Sequence, residues 1–216
     1  MLLKGYSHLG VTLQTLDENK FDHGKILAQT PRPGIPIPND CRLEDLFHAA
    51  TEEGVDMLRD GLLRGLYIPP LVDVGRKLTD DEIRELRHAP KLAKADMEMN
   101  WAHWSWEDAS RRLRVFGPGR LWCRVGNHED RVILEAEAKS TPTPLDGAEM
   151  KHIECASSTT GRKTRVSYTE DGDGGVLVPL EKGGSLFIRR VKVAGEPWKP
   201  AIDALRPFAE RSHRKE

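Results

Sequence analysis

The sequence has no apolar run longer than a few residues, far short of the roughly 20 needed to cross a bilayer, so it encodes no membrane-spanning helix. Cysteine is scarce. Cys41, Cys123 and Cys155 lie far apart and form no Cys-x-x-Cys pair, which argues against a disulfide framework and against a structural zinc site. They fit a reducing compartment as packed thiols. There is also little net charge, −1 over 216 residues, and so no strongly basic field of the kind that marks many nucleic-acid-binding proteins. The first residues, Met1-Leu2-Leu3-Lys4-Gly5-Tyr6, carry neither an apolar h-region nor an Arg/Ser-rich amphipathic pattern, so targeting is not legible there. No internal repeat occurs, and the only biased stretch is the charged tail Glu210 to Glu216, which is expected to fray.

What is present is an ordinary soluble composition, 38% hydrophobic and 31% charged, long enough for one large domain or two small ones. Charge is unevenly spread, with 7 basic and 11 acidic residues in 1–75 against 20 basic and 18 acidic in 98–216. The positive balance thus sits in the C-terminal half, though it is too small to argue for nucleic acid alone.

Residues 10–16 and 25–30 read as two strands on either side of a turn-rich loop. Pro31, Pro33, Pro36 and Pro38 then break regular structure. Asn39 or Asp40 is placed to cap a helix whose apolar residues, Leu43, Leu46, Phe47, Ala50, Leu58, Leu62 and Leu66, recur at helical spacing and predict one buried face. Gly65 and Pro69-Pro70 supply its stop signals, closing a first block near residue 70. Residues 71–97 read as a linker, with Thr79-Asp80-Asp81-Glu82 opening a short helix that Pro90 limits. Beyond the aromatic cluster Trp101, Trp104 and Trp106, Ser105 is an N-cap for a helix ending at Gly117-Pro118. Six short strands follow, at 121–125, 131–136, 150–156, 164–168, 176–180 and 185–193, and turns such as Gly126-Asn127-His128-Glu129 separate them. This spacing predicts a small barrel over 98–212, with 213–216 as a tail.

The loop Asp17 to Gly24 is the most suggestive place for chemistry, because it sets carboxylates and an imidazole where strands end. The competing reading is that Asp, Asn and Gly are simply what turns are made of. A metal site from His8, Asp17, Asp22 and His23 matches no established ligand spacing, so no metal is expected.

Gly10-Val11-Thr12-Leu13-Gln14-Thr15-Leu16-Asp17, followed by Phe21-Asp22-His23-Gly24-Lys25-Ile26-Leu27-Ala28-Gln29, resembles the GVT…D…DxG region of 10-formyltetrahydrofolate-dependent formyltransferases. The detail is similar to the methionyl-tRNA formyltransferases of fungal mitochondria. Pro33-Gly34-Ile35-Pro36-Ile37-Pro38, Ala89-Pro90-Lys91-Leu92 and Met99-Asn100-Trp101 continue the likeness in the same order, so it covers nearly the whole chain. The resemblance implies an α/β plus β protein. Residues 1–70 would be the C-terminal part of a formyltransferase-type Rossmann-like domain, followed by the 71–97 linker and an OB-like β-barrel.

In such an enzyme the amine of methionyl-tRNA attacks the formyl carbon of 10-formyltetrahydrofolate. An Asn-x-His pair polarises the carbonyl and an Asp manages the proton. Asp22 matches that aspartate, and Asp17, Phe21, Asp22, His23 and Gly24 match the segment lining the folate site. The Asn-x-His pair is expected upstream of the matching region. Asn127-His128 is no substitute, because the two are adjacent on a predicted turn. The helix of the first block would then lack the strands its apolar face normally covers, leaving the block marginal.

The implied partners are methionyl-tRNA and folate, with no membrane, in a monomer of the mitochondrial matrix. A non-catalytic RNA-binding role for barrel and linker is the alternative. Candidate tRNA contacts are Lys91, Arg111, Arg112, Arg120, Arg124, Arg162, Lys163, Arg189 and Arg190, of which strand alternation allows only some to share a face.

Overall fold

The structure, a computed structural model, describes residues 1–19, 24–76, 81, 90–126, 130–140 and 149–209, and the backbone of 210–213. The chain divides into two compact units, Met1–Lys91 and Leu92–Glu216, so the boundary falls inside the stretch read as a linker.

In the first unit a 3-10 turn at Leu2–Lys4 precedes two small antiparallel ladders. Strand β1 (His8–Leu9) pairs with β4 (Ile35–Pro36), and β2 (Thr12–Gln14) pairs with β3 (Ile26–Gln29). The first ladder is short because prolines 31, 33, 36 and 38 withhold the N–H groups a longer one would need. No parallel pairing occurs among the described residues of this unit, so the wound sheet that the resemblance implies is not found within it.

Helix α1 spans Leu43–Leu63. Its N-cap is Arg42, not Asn39 or Asp40. Asp45 reaches back to accept from the Arg42 backbone N–H at 2.9 Å, supplying the carboxylate arm of a capping box. Gly65, at φ 64°, ends the helix in the left-handed conformation that glycine adopts without cost. The predicted buried face is not realised: Phe47, Leu58 and Leu62 are 65%, 48% and 55% exposed. After the helix, Val74 N–H donates to the Ile26 carbonyl at 2.8 Å, and Asp73 accepts from the Ile26 and Gly75 N–H groups, so this part of the presumed linker is tied to β3.

The second unit is a closed six-strand antiparallel barrel, one strand more than an OB-type fold. Its strands are β5 (Leu121–Val125), β6 (Asp130–Lys139), β7 (Lys151–Ala156), β8 (Lys163–Glu170), β9 (Val176–Pro179) and β10 (Ser185–Val193). They run in the order β6-β5-β7-β8-β9-β10, and β10 closes the ring by pairing with β6 as well as β9. Strand alternation fills the interior: Val132, Leu134 and Ala136 of β6 point inward with Ile153, Val166, Val178 and Leu186 from its neighbours.

Helix α2 (Trp106–Phe116) begins after the expected N-cap Ser105, whose Oγ accepts from the Asp108 N–H while the Asp108 carboxylate accepts from the Ser105 N–H, which completes a capping box. A two-residue strand, β11 (Lys199–Pro200), pairs with β10 and leads into helix α3 (Ala201–His213). Helix α3 packs on β7 and β10, with Ala204, Leu205 and Phe208 buried, and its backbone runs on to His213, into the stretch read as a charged tail. No helix among the described residues is long and apolar enough to cross a membrane.

Candidate functional site

The loop singled out by sequence leaves the β2–β3 ladder at a well-defined neck. Thr15 N–H donates to the Lys25 carbonyl at 3.0 Å, and Lys25 N–H returns a bond to Thr15 Oγ1 at 2.9 Å. Asp17 Oδ1 accepts from the Asn19 N–H at 2.9 Å, fixing the first turn of the loop. Gly24 closes it. A Cβ there would lie 1.7 Å from the Thr15 carbonyl oxygen, so the close approach admits only glycine. This gives the Gly of the Asp-x-Gly motif a structural reason. Phe21, Asp22 and His23 lie outside the described residues, as do Asn127 and His128 and most of the Thr79–Glu82 helix start. Among the described residues no group of His, Cys, Asp or Glu is arranged to hold a metal ion.

The nine basic candidates do not form one face. Lys91 belongs to the first unit and is exposed. Arg189 and Arg190 follow one another across the irregularity in β10, and each pairs with a carboxylate of β6, Glu137 at 3.6 Å and Glu135 at 2.5 Å. The Glu135 hydrogen bond raises the Arg190 pKa further. Lys163 pairs with Glu154 at 2.6 Å, Arg111 with Asp108 at 3.7 Å, and Arg124 faces Arg131 in the β5–β6 register. Arg120 is exposed on the turn before β5.

Arg112 is held most firmly. It stacks 3.9 Å over the Trp104 ring, and donates through Nε to the Asp96 carbonyl and through Nη1 to the Asp108 carbonyl, each at 3.2 Å. Burial lowers its pKa, with Asp108 and Asp96 opposing.

Arg112, Arg162 and Lys163 do share a region. Arg112 and Arg162 line a depression of about 440 Å³ between the Glu98–Trp104 segment and the β7–β8 turn. Arg162 and Lys163, with Arg165, line an adjoining depression of about 410 Å³. Trp101 and Thr164 belong to both walls.

The segment forming one wall is strapped to the barrel. Trp122 Nε1–H donates to the Lys94 carbonyl at 3.1 Å, and Met99 N–H donates to the Trp122 carbonyl at 2.8 Å. Glu98, 8% exposed, accepts from both the backbone N–H and the hydroxyl of Ser158. Sequence reasoning missed Glu98 because a lone acid between two methionines carries no local sign of a partner 60 positions away. The tryptophan cluster was the available signal for the groove. Cys123 and Cys155 are buried in the barrel, where a hydrogen bond with Cys123 and desolvation push the Cys155 thiol up, away from the reactive thiolate.

No family model matches the chain. Among solved structures, two variants of HypX from Aquifex aeolicus are similar, each with a TM-score of 0.49, at 16% and 17% identity, covering 97% of this chain and 32% and 33% of those chains. The mitochondrial methionyl-tRNA formyltransferase of Saccharomyces cerevisiae is 27% identical over 136 residues, which are 54% of this chain and 32% of the relative. The matched segment thus spans about a third of the curated relative's length, and the chain is distantly similar to a mitochondrial methionyl-tRNA formyltransferase.

Proposed function

We propose that this chain is part of a formyltransferase that moves the formyl group of 10-formyltetrahydrofolate to the α-amine of methionyl-tRNA in the mitochondrial matrix. The 27% identity over 136 residues to the yeast mitochondrial enzyme carries this reading. In this reaction the amine nitrogen bonds to the formyl carbon and gives a tetrahedral oxyanion. Collapse breaks the bond to N10 of the folate, and the proton lost by the ammonium ends on that nitrogen. Asp22 is assigned the proton handling, and the Asp17–Gly24 loop lines the folate. The barrel holds the RNA.

A second reading, an RNA-binding module without turnover, is favoured by the barrel's closed core of its own, set against the few buried side chains among the described residues of the first unit, Leu2, Leu9, Leu27 and Cys41. Formylation of methionyl-tRNA by the purified chain and an Asp22→Asn variant, beside a tRNA-binding titration, separates the two. Turnover lost in the variant with binding intact is the result expected of the enzyme. Salt-sensitive binding without turnover selects the module, and absence of both overturns both.

A further inference from the structure

We propose that the exposed apolar stripe of α1 is a self-association surface, on which α1 of a second copy of this chain docks antiparallel about a two-fold axis beside Val55. The proposal is independent of the formyl-transfer reading and departs from the monomer that the resemblance implies.

Phe47, Val55, Leu58 and Leu62 are 65%, 58%, 48% and 55% exposed, and with Thr51 they recur on one stripe of the helix. Thr51 is its one polar member. Its hydroxyl donates to the Phe47 carbonyl at 2.8 Å, so the polar group is satisfied within the helix and docking strands no donor. The side of α1 that meets β2 and β3 is a different one, marked by Gly54 and Gly61, so the stripe is not used in packing against the ladder.

The order of residues along the stripe selects the occupant. From Phe47 the intervals are four, four, three and four residues, and from Leu62 they are four, three, four and four, nearly the same in either direction. Laid end for end on its own copy, the stripe sets Phe47 against Leu62, Thr51 against Leu58, and Val55 beside its counterpart at the axis. Residues thus exchange roles in pairs, as an isologous contact requires.

Charge agrees with this arrangement. Glu52 and Arg59 lie along one edge of the stripe, each paired within its own helix, to His48 at 3.3 Å and to Asp56 at 3.0 Å. The two-fold axis brings Glu52 of each copy near Arg59 of the other, so opposite charges flank both ends of the contact. The four apolar side chains expose roughly 400 Å², comparable to the largest patch on a typical monomer. Two copies with their polar edges bury about 1,200 Å² in total, where specific interfaces begin, which makes the dimer a weak, micromolar one.

The test is sedimentation equilibrium of the full chain across the micromolar range. The expected result is a monomer–dimer equilibrium that stops at the dimer. Leu58→Glu, in the middle of the stripe, should weaken it by at least about tenfold while far-UV circular dichroism shows the helices retained. Glu52→Arg and Arg59→Glu should each weaken it, and Glu52→Arg/Arg59→Glu should restore it; these change only exposed side chains and decide the matter if Leu58→Glu unfolds. Because the native cysteines are buried, crosslinking reads the direction of the helices: under mild oxidation Val55→Cys should join to its own copy and Phe47→Cys should not.

A chain that stays monomeric throughout, or that associates past the dimer, overturns the proposal. Undiminished dimerisation of a folded Leu58→Glu variant does the same, as does a double charge variant no stronger than the singles. Crosslinking through Phe47→Cys, or its absence through Val55→Cys, overturns the antiparallel contact.

Discussion

The bond pair between Glu98 and Ser158 offers a direct test of what holds the 92–99 segment to the barrel. Glu98 is buried while Ser158 is exposed, so the two single truncations differ in kind. Ser158→Ala removes the hydroxyl donor but leaves the backbone N–H bond to the carboxylate, and should cost about 1.5–3 kcal/mol, the net worth of one hydrogen bond to a charged group. Glu98→Ala removes the acceptor of both bonds. It also relieves the desolvation of a buried charge, and the freed Ser158 donors turn to water, so a cost of about 3 kcal/mol is expected rather than twice the single value.

In the double variant the shared bond is counted once, and the coupling should be about 1.5 kcal/mol. Trp101, Trp104, Trp106, Trp122 and Trp198 all lie in the second unit, so tryptophan fluorescence during urea unfolding reports that unit alone, even if the first melts separately. With a urea dependence of about 2 kcal/mol per molar, a loss of about 2 kcal/mol lowers the midpoint by about 1 M. If Ser158→Ala moves it by less than about 0.2 M, or if the two costs simply add, the strap is not held by this pair and the reasoning fails.

Gly24→Ala should disrupt the neck of the candidate folate loop, because its Cβ would fall 1.7 Å from the Thr15 carbonyl oxygen. Breaking the two Thr15–Lys25 bonds costs about 2 kcal/mol locally. Amide exchange at Thr15 and Lys25 should accelerate, and unchanged protection would refute the close approach. Tyr168 gives a pH signature: burial pushes its phenol up to about 12, with Glu170 adding and Arg206 opposing, while Tyr6 and Tyr67 are exposed. Its folded pKa lies above the unfolded value of about 10, so its contribution to stability is complete below about pH 10 and is lost as pH rises towards 12. The phenolate absorbance lost in Tyr168→Phe isolates this one group, and it should appear only near pH 12 or when the barrel opens. Its appearance near the ordinary value of about 10 in a folded barrel would contradict the burial.

Much of the second unit was legible because its signals are local. Leu121–Val125 coincides with β5 and Ser185–Val193 with β10, and the other four strands differ by one to three residues at their ends, since alternation and Gly/Asp turns bound them tightly. Ser105 and Gly117 mark α2 for the same reason. Helix α3 was missed because Pro200 and Pro207 read as breakers and the Arg-rich end reads as solvated, while the buried residues that hold it, Leu205 and Phe208, are visible only against β7 and β10. The basic candidates could be named but not sorted. Whether an arginine is compensated depends on a carboxylate across the sheet, such as Glu135 opposite Arg190 in register, which spacing along one strand does not reveal. Glu98 and the Trp101 groove failed to appear for the same long-range reason.

Helix α1 shows how periodicity and burial part company. Phe47, Leu58 and Leu62 recur on one stripe, which is what a helical period reports; it does not report what lies over that stripe. The side that meets β2 and β3 carries glycines instead. Gly54 lies near Val11, and a Cβ on Gly61 would stand 2.8 Å from Leu13 Cδ2, so the helix comes close to the ladder where it has least side chain to bury. The larger apolar groups are left in solvent, each forgoing part of the about 1.5–3 kcal/mol that full burial contributes. Among the described residues of the first unit the buried apolar side chains are therefore a small set, Leu2, Leu9, Leu27 and Cys41, beside the ladder bonds. The barrel, closed on itself and sealed by α3, depends on no such economy. That asymmetry, among the described residues, sets the neck of the Asp17–Gly24 loop on the unit with the fewer buried apolar side chains.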